Sequence, residues 1–139
     1  RADLAYALAT QEDFPGWGHW IRHGATTLWE NWDATASRNH HMFSDVSAWF
    51  YKGLTGINPD PAAPGFKHFT VNPNPVPGLD WVKAWHLSPY GRIECSWKRE
   101  AGRFTLNLLV PPNSTATVRL PDGQKRTAGA GRHTFDSFA

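Results

Sequence analysis

Glu30 stands between two indoles, Trp29 and Trp32, with a second acid, Asp33, three residues on. All four lie in the run Gly24-Ala25-Thr26-Thr27-Leu28-Trp29-Glu30-Asn31-Trp32-Asp33. Aromatic faces beside carboxylates suit a carbohydrate. A sugar ring offers apolar C–H faces to an indole and hydroxyls to a carboxylate, and glycosidic cleavage needs a carboxylate as base or nucleophile. The competing reading is a buried helix end with packed tryptophans and a capped acid.

His40, in Asn39-His40-His41-Met42-Phe43, is the next candidate. A neutral imidazole can donate to one hydroxyl and accept from another; the alternative is a structural loop histidine. Neighbouring His40 and His41 make a poor metal site, because adjacent side chains rarely face one ion and no third ligand stands at suitable spacing. No metal and no cofactor is expected. Asp33 fits a loop acid bonding backbone, a partner for His40 or a solvated turn acid.

The elements that must hold these residues change character along the chain. Leu4 and Leu8 fit a helical period ending near Thr10-Gln11. Pro15-Gly16 breaks the chain, and a second helix is expected from about Trp17 to His23, stopped by Gly24. Trp17 and Trp20 on it are expected in the core. The segment 26–30 fits either a helical turn or an extended loop. Ser44 or Asp45 could cap a third helix with Val46, Trp49, Phe50 and Leu54 on one face, ended by Gly56. Asn58-Pro59-Asp60-Pro61-Ala62-Ala63-Pro64-Gly65 is turn chemistry. Beyond it the period becomes two, with strands expected at 66–71, 79–87, 92–98, 104–108, 116–120 and 133–135. Short strands spaced by Gly, Pro and Asn turns argue an antiparallel β-sandwich. The organisation expected is therefore α+β: helices over 1–57, a linker over 58–65 and a sandwich over 66–139.

Bulk properties narrow the classes. Lys and Arg total 14 against 12 acids, for a net charge of +2, and the basic residues do not cluster, which argues against nucleic acid. No apolar run approaches the roughly 18 residues of a membrane span. The single cysteine, Cys95, alternates with Ile93 and Trp97 and reads as a buried strand residue. Eight tryptophans in 139 residues suggest sugar stacking or an aromatic core larger than this chain. The N-terminal Arg1-Ala2-Asp3-Leu4 reads like the middle of a helix, so the chain is expected to begin inside a domain.

The run from Gly24 to Asp33, then Asn39-His40-His41-Met42-Phe43, then Trp49-Phe50-Tyr51-Lys52-Gly53-Leu54-Thr55-Gly56-Ile57, resembles the C-terminal end of a bacterial α-L-rhamnosidase. The family is the inverting one with an (α/α)6-barrel catalytic domain. Its members carry G-A-T-T-x-W-E-x-W-D, then N-H-Y-x-F, then a helix ending in G-I and a Pro-rich crossing into a β-sandwich. The resemblance covers nearly the whole chain and is strongest over 14–75. It implies the last helices of an (α/α)6 barrel followed by the sandwich, with upstream barrel helices of the same protein as partners.

It also implies that Glu30 is the general base, that His40 contacts the sugar, and that the substrate is a rhamnose-containing glycoside or polysaccharide. His41 stands where the family has tyrosine. One of Trp29 and Trp32 would stack near the sugar and the other pack in the barrel. The family's general acid belongs to an upstream acidic segment that has no counterpart here, so only half of a two-carboxylate machine is present. Between Asp33 and Asn39 the chain has only five residues, where many relatives are longer. Trp81, Trp85, Trp97 and Tyr90 could form a second sugar-binding face, or fill the sandwich core and its contact with the barrel. Two further readings compete: a non-catalytic carbohydrate-binding module using exposed tryptophans, and a related (α/α)6 hydrolase acting on another sugar.

Overall fold

A computed structural model of the chain describes residues 1–138. It divides into two compact units, Arg1–Trp49 and Phe50–Ala139.

The first unit is helical. Helix α1 spans Ala2–Ala9 and buries none of its residues; Leu4 and Leu8 are both more than half exposed. Helix α2 spans Trp17–Arg22 and buries Trp20. It ends where Gly24 takes φ +77, a left-handed conformation that glycine adopts without a Cβ penalty. Helix α3 covers only Asp45–Trp49. Ser44 does not cap it as expected: its Oγ donates to the His41 carbonyl at 2.6 Å.

The second unit opens on a π-helical turn, Phe50–Thr55. The expected third helix is thus wider than α-helical beyond Trp49, and the Thr55 Oγ donates to the Phe50 carbonyl five residues back at 3.1 Å. Eight strands follow: β1 Ile57–Pro59, β2 His68–Val71, β3 Trp81–Ser88, β4 Gly91–Glu100, β5 Arg103–Val110, β6 Thr115–Arg119, β7 Lys125–Ala128 and β8 Gly131–Phe138. They form two four-stranded sheets, ordered β1-β2-β6-β7 and β3-β4-β5-β8. The second sheet is antiparallel throughout. In the first, β2 runs parallel to β6. The segment expected to be a linker starts inside β1, where Asn58 pairs with Thr70 and Pro59 with Phe69. Proline is tolerated there because β1 is an edge strand.

Period-two patterning builds the core between the sheets. Ile93, Cys95 and Trp97 of β4 and Phe104, Leu106, Leu108 and Val110 of β5 face Phe69, Val71, Ala116 and Val118. Trp97, 2% exposed, donates its Nε1–H to the Leu54 carbonyl at 2.8 Å, tying the π-helical turn to the core. Cys95 is buried as expected, and burial pushes its thiol pKa up to about 12. Glu100 and Arg103 are joined through Ala101 and Gly102, both with positive φ, the conformation of a type I′ hairpin turn.

Candidate active site

The Glu30 segment is an extended loop, not a helix end. It leaves α2 through Gly24 and doubles back on itself over 28–40. The Glu30 N–H donates to the Ser37 carbonyl at 2.8 Å and the His40 N–H to the Leu28 carbonyl at 2.9 Å, two rungs like those of an antiparallel pair. Thr27 Oγ adds a bond to the Arg38 carbonyl. These bonds bring the Glu30 and His40 backbones onto one loop from positions ten residues apart.

An aromatic cluster supports the loop. Trp20 donates its Nε1–H to the Trp32 carbonyl at 3.1 Å, and the two rings lie 4.5 Å apart. Trp32 also meets Phe43 at 4.3 Å and Trp17 edge-on at 5.5 Å. Trp29 packs 5.7 Å from Trp20, with the Arg38 guanidinium 5.5 Å from its ring centre. Trp29 is 6% exposed and Trp32 half-buried. Trp20 is buried as expected, whereas Trp17 is half-buried.

The two carboxylates are held differently. Glu30 is half-buried; its Oε2 accepts the Ser37 N–H at 3.1 Å, and its Oε1 has no hydrogen-bond partner among the described residues. Asp33 is exposed, and its Oδ1 accepts both the Oγ–H of Thr35 at 2.8 Å and the Thr35 N–H at 3.2 Å. The Thr35 hydroxyl, then its N–H, holds the Asp33 carboxyl below its ordinary range. These bonds close the turn at Ala34, whose φ is +60. Asp33 therefore serves the loop backbone, and no bond joins it to His40.

His40 has a defined tautomer. The Met42 N–H donates to its Nδ1 at 3.1 Å, so that nitrogen carries no proton and a neutral ring bears its proton on Nε2. His40 therefore presents a donor to a ligand, and its second nitrogen is already used. His41 stacks nearly parallel to it, at 5.2 Å. Among the described residues no group of three His, Cys, Asp or Glu side chains could hold a metal ion.

Sequence reasoning missed Ser37, which anchors Glu30, and Arg38, which covers Trp29. The signal was faint: a polar five-residue connector, Ala34-Thr35-Ala36-Ser37-Arg38, short enough to return the chain on itself.

The loop thus carries a half-buried carboxylate with one open oxygen, a donor-bearing imidazole and a set of packed indoles. Residues 1–54 match the bacterial alpha-L-rhamnosidase 6 hairpin glycosidase domain, and residues 56–135 match the bacterial alpha-L-rhamnosidase C-terminal domain. The chain belongs to the bacterial α-L-rhamnosidase family. It is 35% identical to an alpha-L-rhamnosidase of Streptomyces avermitilis over 99% of its own length and 14% of the relative's. The solved structure of a Streptomyces avermitilis alpha-L-rhamnosidase complexed with L-rhamnose superposes with a TM-score of 0.87 at 30% identity, over 97% of this chain and 16% of that one. The Aspergillus terreus enzyme gives 0.89 at 30% identity, over 96% and 17%. The chain thus spans about one-seventh of the length of the curated relatives it matches.

Proposed function

We propose that this chain is the C-terminal segment of a glycoside hydrolase that removes terminal α-L-rhamnose from glycosides or polysaccharides with inversion, Glu30 acting as general base. The carrying observation is the split role of the Glu30 oxygens: Oε2 is fixed by the Ser37 N–H, and Oε1 is left open to receive a proton. In the reaction, a water oxygen bonds to the anomeric carbon as the glycosidic C–O bond breaks. The water proton passes to Glu30, and an acid on the opposite side protonates the departing oxygen. That acid belongs to the upstream barrel, and the helices within residues 1–54 are the barrel's closing helices. The uncovered Leu4 and Leu8 of α1 support this, because an apolar stripe on a barrel helix requires a neighbour.

L-Rhamnose, the sugar bound by the Streptomyces relative, carries a methyl group that suits an aromatic bed. Its hydroxyls meet the Nε2–H of His40. Of Trp29 and Trp32, exposure favours Trp32 for the stack. The exposed Trp81 and Trp85 support a second reading, a carbohydrate-binding module without chemistry.

Glu30→Gln in the intact enzyme decides between them. The amide keeps the side chain's size and can still accept from Ser37, but cannot take a proton. We expect kcat on an aryl α-L-rhamnoside to fall by about 10²–10⁴. Azide, entering from the vacated face, should restore turnover and yield the inverted glycosyl azide. Near-normal kcat would make Glu30 structural, and a retained anomer of the product would exclude inversion.

A further inference from the structure

The outer face of the β3-β4-β5-β8 sheet is unlike an ordinary solvated surface. Alternation along β3 sends Trp81, Lys83, Trp85 and Leu87 outward, and the three apolar side chains are 66%, 50% and 67% exposed in chain order. Of the four aromatics read either as a sugar-binding face or as filling of the core and barrel contact, Trp97 lies in the sandwich interior, Tyr90 is half-buried, and Trp81 and Trp85 stand on this outer face.

Register carries two rows across all four strands. One is Trp85–Glu94–Leu109–Arg132, and the next is Lys83–Ser96–Asn107–Thr134. Between them lies an open groove of about 350 Å³.

The groove is cationic. Glu94 is shared by two guanidiniums, Arg92 at 2.8 Å and Arg132 at 3.3 Å, and Lys83 has no partner among the described residues. Three positive charges therefore meet one negative charge. The Arg92 guanidinium lies 4.5 Å from the Trp85 ring centre, propping the indole while leaving half its surface open. Trp81 and Trp85, four residues apart on one strand, are separated by about 13 Å. The two rows beyond are balanced, Lys98 pairing with Glu100 and Arg103 with Asp136. The surplus charge is thus local to the groove, which Arg92 also lines.

A buried protein–protein contact is depleted of charge at its centre. Here the centre carries Lys83, Arg92 and Arg132, with amide and hydroxyl groups between them and indoles along one edge. We propose that this face binds an anionic oligosaccharide, with uronate carboxylates on Lys83 and Arg132 and pyranose faces on Trp85 and Trp81. The surface performs no chemistry. It would hold an acidic polymer at the enzyme independently of the Glu30 loop.

Affinity electrophoresis of the intact enzyme in gels containing polygalacturonate tests this, because retention is read without turnover and stands or falls apart from the role of Glu30. We expect retardation of the wild type, weakened about tenfold in apparent affinity by Trp85→Ala and by Lys83→Ala with Arg132→Ala. Methyl-esterified polygalacturonate, which keeps the rings and loses the charge, should retard weakly. Unchanged kcat on an aryl α-L-rhamnoside certifies folding of each variant. Hydroxyl-radical labelling needs no variant: Trp81 and Trp85 should react in the free enzyme and be protected by polygalacturonate. Absent retardation, retardation untouched by the substitutions, or equal retardation by polyglutamate would overturn the proposal. So would indoles already protected in the free enzyme, which would show that another part of the protein covers the face.

Discussion

Replacing Gly56 by alanine should damage the sandwich more than any ordinary glycine substitution, and two costs can be separated. Gly56 has φ +84, and a left-handed conformation costs an L-residue about 1–2 kcal/mol. Its Cβ would also fall on the Asn72 carbonyl carbon and the Pro73 nitrogen, and only 2.5 Å from the Asn72 oxygen. These are backbone atoms, so no rotamer change relieves the clash. The Gly56 carbonyl accepts the Asn72 N–H at 2.9 Å and the Asn58 side-chain amide at 3.0 Å, so a retreat of the chain strains the β1–β2 pairing as well. Overpacking of this kind costs about 1–3 kcal/mol. The control is Gly102→Ala, at φ +77 with nothing within 4 Å of the added carbon, which carries the conformational cost alone. Guanidinium denaturation followed by near-ultraviolet dichroism should show Gly56→Ala losing about 1–3 kcal/mol more than Gly102→Ala, or failing to fold at all. Equal losses would refute the close-approach argument.

Trp97→Phe should cost about 1–3 kcal/mol in the same assay, because the buried Leu54 carbonyl loses its donor; a change within error would show that carbonyl to be satisfied otherwise. The Cys95 thiol, raised from 9.0 to about 12 by burial, keeps its proton in the folded state where the unfolded chain releases it. Stability should therefore be intact below about pH 9 and decline toward pH 12, and Cys95→Ser should flatten that decline, measured as denaturation midpoints against pH. In the intact enzyme, His40→Ala should raise KM more than it lowers kcat, since a sugar contact made in ground and transition states alike is lost; the opposite split would place His40 in the chemistry.

The strong strands were legible because their core positions alternate: Ile93, Cys95 and Trp97 announce β4, and Phe104, Leu106 and Leu108 announce β5. The edges were not. β7, Lys125-Arg126-Thr127-Ala128, buries only Ala128, so it has no apolar period to read. β1 has three residues and ends in proline, which turn chemistry claims first. The switch from α3 to a π-helical turn was equally hidden, since Trp49, Phe50 and Leu54 fit a helix face under either winding. β3 was visible as a strand but not in its polarity: Trp81 and Trp85 fit a sugar-binding face or a filled core alike, and the structure turns their row outward. At the site, residue types pointed to Glu30 and His40, while the pairing that joins them depends on backbone bonds that no side chain advertises.

That pairing also decides between the two acids of the Glu30 segment. A carboxylate that accepts several hydrogen bonds is stabilised in its charged form and becomes a weaker base. Asp33 accepts two from Thr35 on one oxygen, its pKa is depressed, and its turn depends on remaining ionised. Glu30 accepts one, from Ser37, which orients the group without saturating it. Moving one N–H from Ser37 to Glu30 Oε1 would occupy the open oxygen, and moving the Thr35 bonds away from Asp33 would loosen the turn that returns the chain to His40. The short connector Ala34 to Arg38 sets both distances at once. Three residues of spacing therefore separate a carboxylate that holds a loop from the one proposed to take a proton from water.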